Sequence, residues 1–225
     1  MGTDNLHKKR KARNTRAKRV EQKAILIALE DTKSSRYYFQ DLVKDKKLTW
    51  KVVFAKNIGT NPKKVLEALK GYKLKNPKIE FEKEWIVIDK DDWSKDEFNG
   101  VVESAKRDNI CVAFSNEAYE LWILLHFELV TRYSSRKDLN SKLNKIFKER
   151  FSLEYEKSSQ DIYALTVGLQ PQAIKSAEQL VVMHIRNYGK LSPYENNPLS
   201  TVFELVECLN SLYDKERKCH CFPVN

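Results

Sequence analysis

Apolar residues along this chain follow two alternating rhythms. Short continuous runs fall at residues 24–29 (AILIAL), 50–54, 85–88 within the stretch EWIVIDKDDW, and 110–114. Such runs, bounded by charge, read as strands buried on both faces of a parallel sheet. Between them the apolar positions fall three and four apart: Tyr38, Phe39, Leu42 and Val43; Val65, Leu66, Leu69 and Tyr72; Phe98, Val101, Val102 and Ala105. That spacing predicts one-sided helices. Capping residues stand where each should begin: Thr32, Ser34 or Ser35 before the first, Asn61 with Pro62 before the second, Asp92 or Ser94 before the third. Ser115 and Asn116 are expected to cap a strongly apolar helix over residues 118–127. Four strands alternating with helices predict an α/β fold: a doubly wound, mainly parallel four-stranded sheet with right-handed crossovers.

Beyond about residue 131 the pattern predicts no further strand. Leu139, Leu143, Ile146 and Phe147 suit one helix, Ile162, Leu165 and Val167 a short second, and residues 173–184, after Pro171, a third. Val202, Leu205, Val206, Leu209 and Leu212 space out a last amphipathic helix. The expected organisation is therefore an arm at 1–23, an α/β domain at 24–130 and a helical region at 131–225 packed on it.

Composition narrows the class. A chain of 225 residues with 41% hydrophobic content can bury a core without staples. No apolar run approaches the roughly 18 residues of a membrane span, and the basic N-terminus lacks the apolar segment of a signal peptide. A soluble, cytoplasmic protein with no membrane partner is expected. Cys111 and Cys208 lie in apolar contexts and read as core thiols, which suits a reducing compartment. Cys219-His220-Cys221 would bind a metal only with ligands from elsewhere, and reads better as a frayed terminus.

Charge changes the picture more. The net charge is +10, and residues 1–23 hold nine Lys or Arg against Asp4 and Glu21, so most of the excess lies in this arm. Lys8, Lys9, Arg10, Lys11, Arg13, Arg16, Lys18 and Arg19 leave no apolar face to bury. They match the backbone-neutralising footprint of a nucleic-acid binder, although a solubilising tail explains them too.

The candidate chemistry lies at the strand ends. Glu30 closes the first apolar run, and Asp89, Asp91 and Asp92 crowd the end of the third. Ligands in doubly wound sheets bind outside the carboxyl ends of strands, where the strand order reverses. If the first and third strands are neighbours, Glu30 and the Asp-x-Asp meet there. Clustered carboxylates are the hard oxygen donors that Mg²⁺ or Mn²⁺ prefers. The competing explanation is a solvated strand-to-helix turn.

Glu30 before a turn and helix, with Asp89-Lys90-Asp91 on a later strand, resembles the Toprim arrangement of topoisomerases, primases and OLD-type nucleases. The closer resemblance is to the RloB family of Toprim-like antiphage proteins. It rests on the basic arm before AILIALED, Lys33 with Tyr38-Phe39, IDKDDW with Phe98, and SNEAYELWILLHF at 115–127. Tyr155-Glu156-Lys157, Asp161-Ile162-Tyr163, Asn197-Pro198 and Ser200-Thr201-Val202 extend it across most of the chain. The resemblance implies a Toprim-like fold and a metal-dependent nuclease acting on RNA such as tRNA in antiphage defence or abortive infection, gated by an AAA-type ATPase encoded nearby. It implies Mg²⁺ or Mn²⁺ on Glu30, Asp89 and Asp91, with Asp92 and Asp31 assisting, Lys33 at the scissile phosphate, and Glu120 orienting Lys33 or a metal-bound water. The turn departs from the family pattern Glu-Gly-x-Lys-Thr-Glu-Pro: Asp31 replaces the glycine, Thr32 a frequent acid, Ser35 the second Glu and Arg36 the proline.

Bland explanations stand beside several of these. Lys33 could equally neutralise the acidic cluster, Glu117 suits a helix N-terminus, and His126, among apolar residues, reads as a core histidine. Lys157, Asp161 and Arg186 fit nucleic-acid contacts and solvated faces alike. Tyr37, Tyr38, Tyr133, Tyr188 and Tyr194 offer stacking surfaces, though packing suits most of them. No glycine-rich phosphate loop is present, so ATP hydrolysis is assigned to a partner. Two other functions fit the same residues: a non-catalytic nucleic-acid sensor with a degenerate Toprim core, and a housekeeping RNA-processing nuclease.

Overall fold

The computed structural model describes residues 24–214, except 32, 57, 58 and 60, together with 221. The whole basic arm, including the eight candidate nucleic-acid-binding residues, and Thr32, Cys219 and His220, lie outside the described residues. The fold is α/β, built on a five-stranded, mostly parallel sheet of order β2-β1-β3-β4-β5. The strands are β1 (Ala24–Leu29), β2 (Val52–Phe54), β3 (Phe81–Asp89), β4 (Cys111–Asn116) and β5 (Leu199–Ser200). The first four run parallel, and β5 pairs antiparallel with β4. The sequence predicts four strands. A two-residue pairing is too short to leave an alternation, so β5 escapes that reading.

β1 and β4 are buried along their whole length, and β3 over its last five residues. This is why their sequences are continuous apolar runs: helices cover both faces. Strand order turns back between β1 and β3, and right-handed crossovers then put α1 (Ser34–Asp45) on one face and α2 (Pro62–Lys75) and α3 (Lys95–Arg107) on the other. α2 packs over β1 and β3, and α3 beside it over β4.

Local chemistry sets the helix starts. The Asn61 side chain accepts from the Lys63 N–H with Pro62 at the first helical position, and Ser94 and Glu97 form a capping box at α3. The fourth helix differs from expectation. β4 continues through Ser115 and Asn116, whose side chains bond to Ser200 and to the Pro193 and Tyr194 carbonyls rather than capping a helix. α4 is correspondingly short, Glu120–Leu125.

The later helices are α5 (Arg136–Phe151), α6 (Ile162–Thr166) with a 3₁₀ turn at Val167–Leu169, α7 (Gln170–Tyr188) and α8 (Val202–Asp214). Their buried faces join one continuous apolar cluster running from Ile25 to Leu209. His126 lies inside it, nearly inaccessible, 3.0 Å from the Trp122 carbonyl and 3.4 Å from the Tyr38 hydroxyl. Burial lowers its pKa to about 4, so it is a neutral core residue. No helix among the described residues is long and apolar enough to cross a membrane. Cys111 and Cys208 are buried, but neither is a free thiol: Cys111 is bonded to Cys221, with a Cα separation of 5.5 Å. This removes the cysteine argument for a reducing compartment.

Leu26, fully buried at the centre of β1, provides a test of this core. Leu26→Ala should lower the unfolding free energy in urea by about 2–5 kcal/mol. Ser94→Ala, which removes only a cap, should lower it by about 1 kcal/mol.

Candidate active site

Parallel pairing sets the site. β1 and β3 are in register with Leu29 opposite Val87, so the chain leaves β1 at Glu30 beside the last residues of β3. The Asp89 backbone N–H donates to Glu30 Oε2 at 2.9 Å, and both residues are 8% exposed. The two acidic strand ends read from the sequence are therefore brought together at the reversal of strand order.

Asp91 follows in a tight turn with φ +41°, a left-handed conformation that Asp tolerates better than most residues, and its N–H donates to the Glu117 carbonyl. This turn carries the Asp91 carboxylate to the guanidinium of Arg136, 3.0 Å away. Arg136 also reaches Asp89 Oδ2 at 3.9 Å. Glu120 completes the group from the first turn of α4. It is 1% exposed, has Lys157 Nζ 3.9 Å from Oε1, and leaves Oε2 buried without a hydrogen-bond partner.

The other expected residues are placed differently. Asp92 is exposed in the turn, and its carboxylate makes no hydrogen bond or ion pair among the described residues. Asp31 serves its own turn, accepting from the Lys33 and Ser35 N–H groups and the Ser34 hydroxyl. Lys33 is exposed and makes no ion pair among the described residues. Glu120 accordingly faces Lys157, not Lys33. Glu117 does serve a helix N-terminus, but that of α5: Oε2 accepts the Arg136 N–H at 3.2 Å, and Lys90 lies 3.7 Å from Oε1.

Sequence reasoning missed Arg136. Its only local signal is Ser135 with Asp138, a capping box that fixes the start of α5 and hence where the guanidinium emerges. Lys157 was named, but with no hint that it reaches the carboxylates. No run of sequence joins either residue to the strand ends.

The electrostatics follow from burial. The Glu30 pKa is raised to about 7, chiefly by desolvation; the Asp89 amide and the nearby Trp93 indole N–H oppose this, Asp91 adds to it, and Lys157 lowers it. Asp89 is raised well above the usual carboxylate range by burial and by the charges of Glu120 and Glu30, against Lys157 and the Tyr119 N–H. For Arg136, partial burial opposes the charged form, but Asp91, Glu120 and Asp89 together raise its pKa. Four carboxylates thus face two cations. The unpartnered Glu120 oxygen and the cost of ionising Glu30 with Asp89 suit a hard cation in charge and donor type. No three His, Cys, Asp or Glu side chains among the described residues stand in metal-ligating array; Glu30 Oε2 is engaged by the Asp89 amide, and Arg136 lies against Asp89 and Asp91.

A raised carboxyl pKa means that the folded protein holds its proton where the unfolded chain has released it. Stability from this source is present below the unfolded value of 4.5 and is lost as pH rises to about 7. Glu30→Gln should abolish that contribution. The unfolding free energy of the unaltered protein relative to this variant should fall by roughly 3 kcal/mol between pH 4 and pH 8 in metal-free urea titrations. Parallel curves would refute the burial argument.

A family model for RloB-like proteins matches residues 25–209, a span that holds Glu30, Asp89, Asp91, Glu120, Arg136 and Lys157 but not the basic arm. No curated protein and no solved structure matches the chain. Across the sheet and its acidic centre alike, this chain belongs to the RloB-like family.

Proposed function

We propose that the protein is a metal-dependent nuclease of Toprim type, cleaving RNA such as tRNA in antiphage defence and controlled by an AAA-type ATPase partner. The observation that carries the reading is the meeting of Glu30 and Asp89, buried and hydrogen-bonded, at the reversal of strand order. Glu30, Asp89 and Asp91 would hold Mg²⁺ or Mn²⁺, with Glu120 behind them. Such an ion polarises a phosphodiester and lowers the pKa of an attacking water.

The chain's own residues would do the rest. Arg136 neutralises Asp89 and Asp91 in the metal-free form, and its planar fork suits a phosphate oxygen pair. Lys157 offsets Glu120. Glu30, with a pKa near 7, exchanges its proton close to neutral pH. The RNA preference, the defence role and the ATPase rest on the family resemblance alone.

The sensor reading is favoured by one observation: Asp31, at the position where the family pattern has glycine, is turned to local capping. The test is incubation of purified protein with tRNA, ribosomal RNA and plasmid DNA in Mg²⁺ or Mn²⁺, beside EDTA and the Glu30→Gln, Asp89→Asn double variant. Discrete RNA products are expected, formed about a thousandfold more slowly by the double variant, the factor that about 4 kcal/mol of charge stabilisation represents. Salt-sensitive binding without cleavage, persisting with the neighbouring ATPase and ATP, would transfer the assignment to the sensor.

A further inference from the structure

A groove of about 440 Å³ lies between α2 and α3. It begins at the N-terminal ends of both helices, at Asn61, Pro62 and Trp93, and runs down to Lys70 and Arg107. α3 follows β3 after the short turn 90–94, so the head of the groove lies toward the carboxyl end of the sheet, the end that carries Glu30 and Asp89. Trp93 belongs to both places. Its backbone N–H donates to the Lys90 carbonyl at 3.3 Å in the turn that follows Asp89, and the residue lines the groove.

The walls are mixed in charge, with Lys63, Lys70 and Arg107 against Glu67 and Glu97. Glu97 is engaged by Ser94 and Lys70 by Asp108. Lys63 and Arg107 make no ion pair among the described residues, and they sit at opposite ends of the groove.

Gly100 forms the wall midway. It stands exposed in the interior of α3, and a Cβ there would meet nothing within 4 Å. Neither close packing nor a positive φ requires glycine here, although glycine disfavours a helix interior by about 1 kcal/mol relative to alanine. Its consequence is a wall without a side chain.

We propose that this groove binds an unpaired polynucleotide segment, one base stacking on Trp93 and the phosphates running between Lys63 and Arg107, and so leads the strand to the acidic centre. The volume is that of a small-molecule site, and aromatic stacking flanked by cations is how unpaired strands are held without sequence preference. The inference rests on the nuclease reading above and adds the path of its substrate.

Photo-crosslinking tests it. Full-length protein in EDTA is mixed with a single-stranded RNA carrying 4-thiouridine at one varied position, or with DNA carrying 4-thiothymidine, irradiated, and its adducts mapped by mass spectrometry. Adducts are expected on Trp93 or on the 97–107 peptide. Gly100→Ala should raise the thermal midpoint and keep them. Gly100→Leu, whose Cβ would meet nothing within 4 Å and whose side chain is placed on the groove wall, should reduce them roughly tenfold while adducts elsewhere persist. Adducts only outside the groove, or groove adducts indifferent to Gly100→Leu, would overturn the groove and spare the nuclease reading. Absence of binding to any nucleic acid would remove both.

Discussion

Two carboxylates that resist simultaneous ionisation, Glu30 and Asp89, are forced together because β1 and β3 must pair in register to bury their apolar side chains. The sheet gains from burial; the acids at its end pay for their position in desolvation. Much of the surrounding structure answers that tension. The Asp89 amide and the Trp93 indole lean on Glu30, the Tyr119 amide on Asp89, and Arg136 with Lys157 supplies the missing positive charge. Carboxylates whose ionisation burial opposes concentrate at functional sites, and here burial falls on the same few atoms that strand pairing brings together.

The counter-charges tie the later helices to the sheet. Arg136 emerges where it does because Ser135 and Asp138 cap α5 and because Glu117, just past β4, accepts its backbone N–H. Lys157 arrives from the loop between α5 and α6, beside Tyr155, whose phenol is buried near Glu120, Asp31 and Asp89. The acidic centre is therefore assembled from β1, β3, α4, α5 and a loop after α5. A chain ending near residue 130 would keep four carboxylates and lose both cations.

This explains what could be read from sequence. β1, β3 and β4 were legible because strands buried on both faces are continuous apolar runs, and α2 and α3 because Asn61 with Pro62 and Ser94 with Glu97 are local signals. Glu30 and Asp89 were legible for the same reason: an acid that stops an apolar run marks a strand end. β5 has two residues and no rhythm. The start of α4 was misplaced because Ser115 and Asn116 look like caps while bonding instead across to residues 193, 194 and 200. Lys33 and Arg136 show the limit most clearly. The lysine lies near the acids in sequence but is exposed and makes no ion pair among the described residues, whereas the arginine lies far off in sequence and touches them.

Protons and cations compete for the same place at this centre. With Glu30, Asp89, Asp91 and Glu120 all ionised, Arg136 and Lys157 leave two negative charges unbalanced. Two protons would cancel them, as the raised affinities of Glu30 and Asp89 encourage; so would one divalent ion. Arginine rather than lysine suits the metal-free form, since only a planar fork spans Asp89 and Asp91 together. The same fork matches a phosphate. On the proposed nuclease reading, positive charge supplied to the carboxylates by an ion would leave the Arg136 guanidinium less needed there and available to a substrate phosphate.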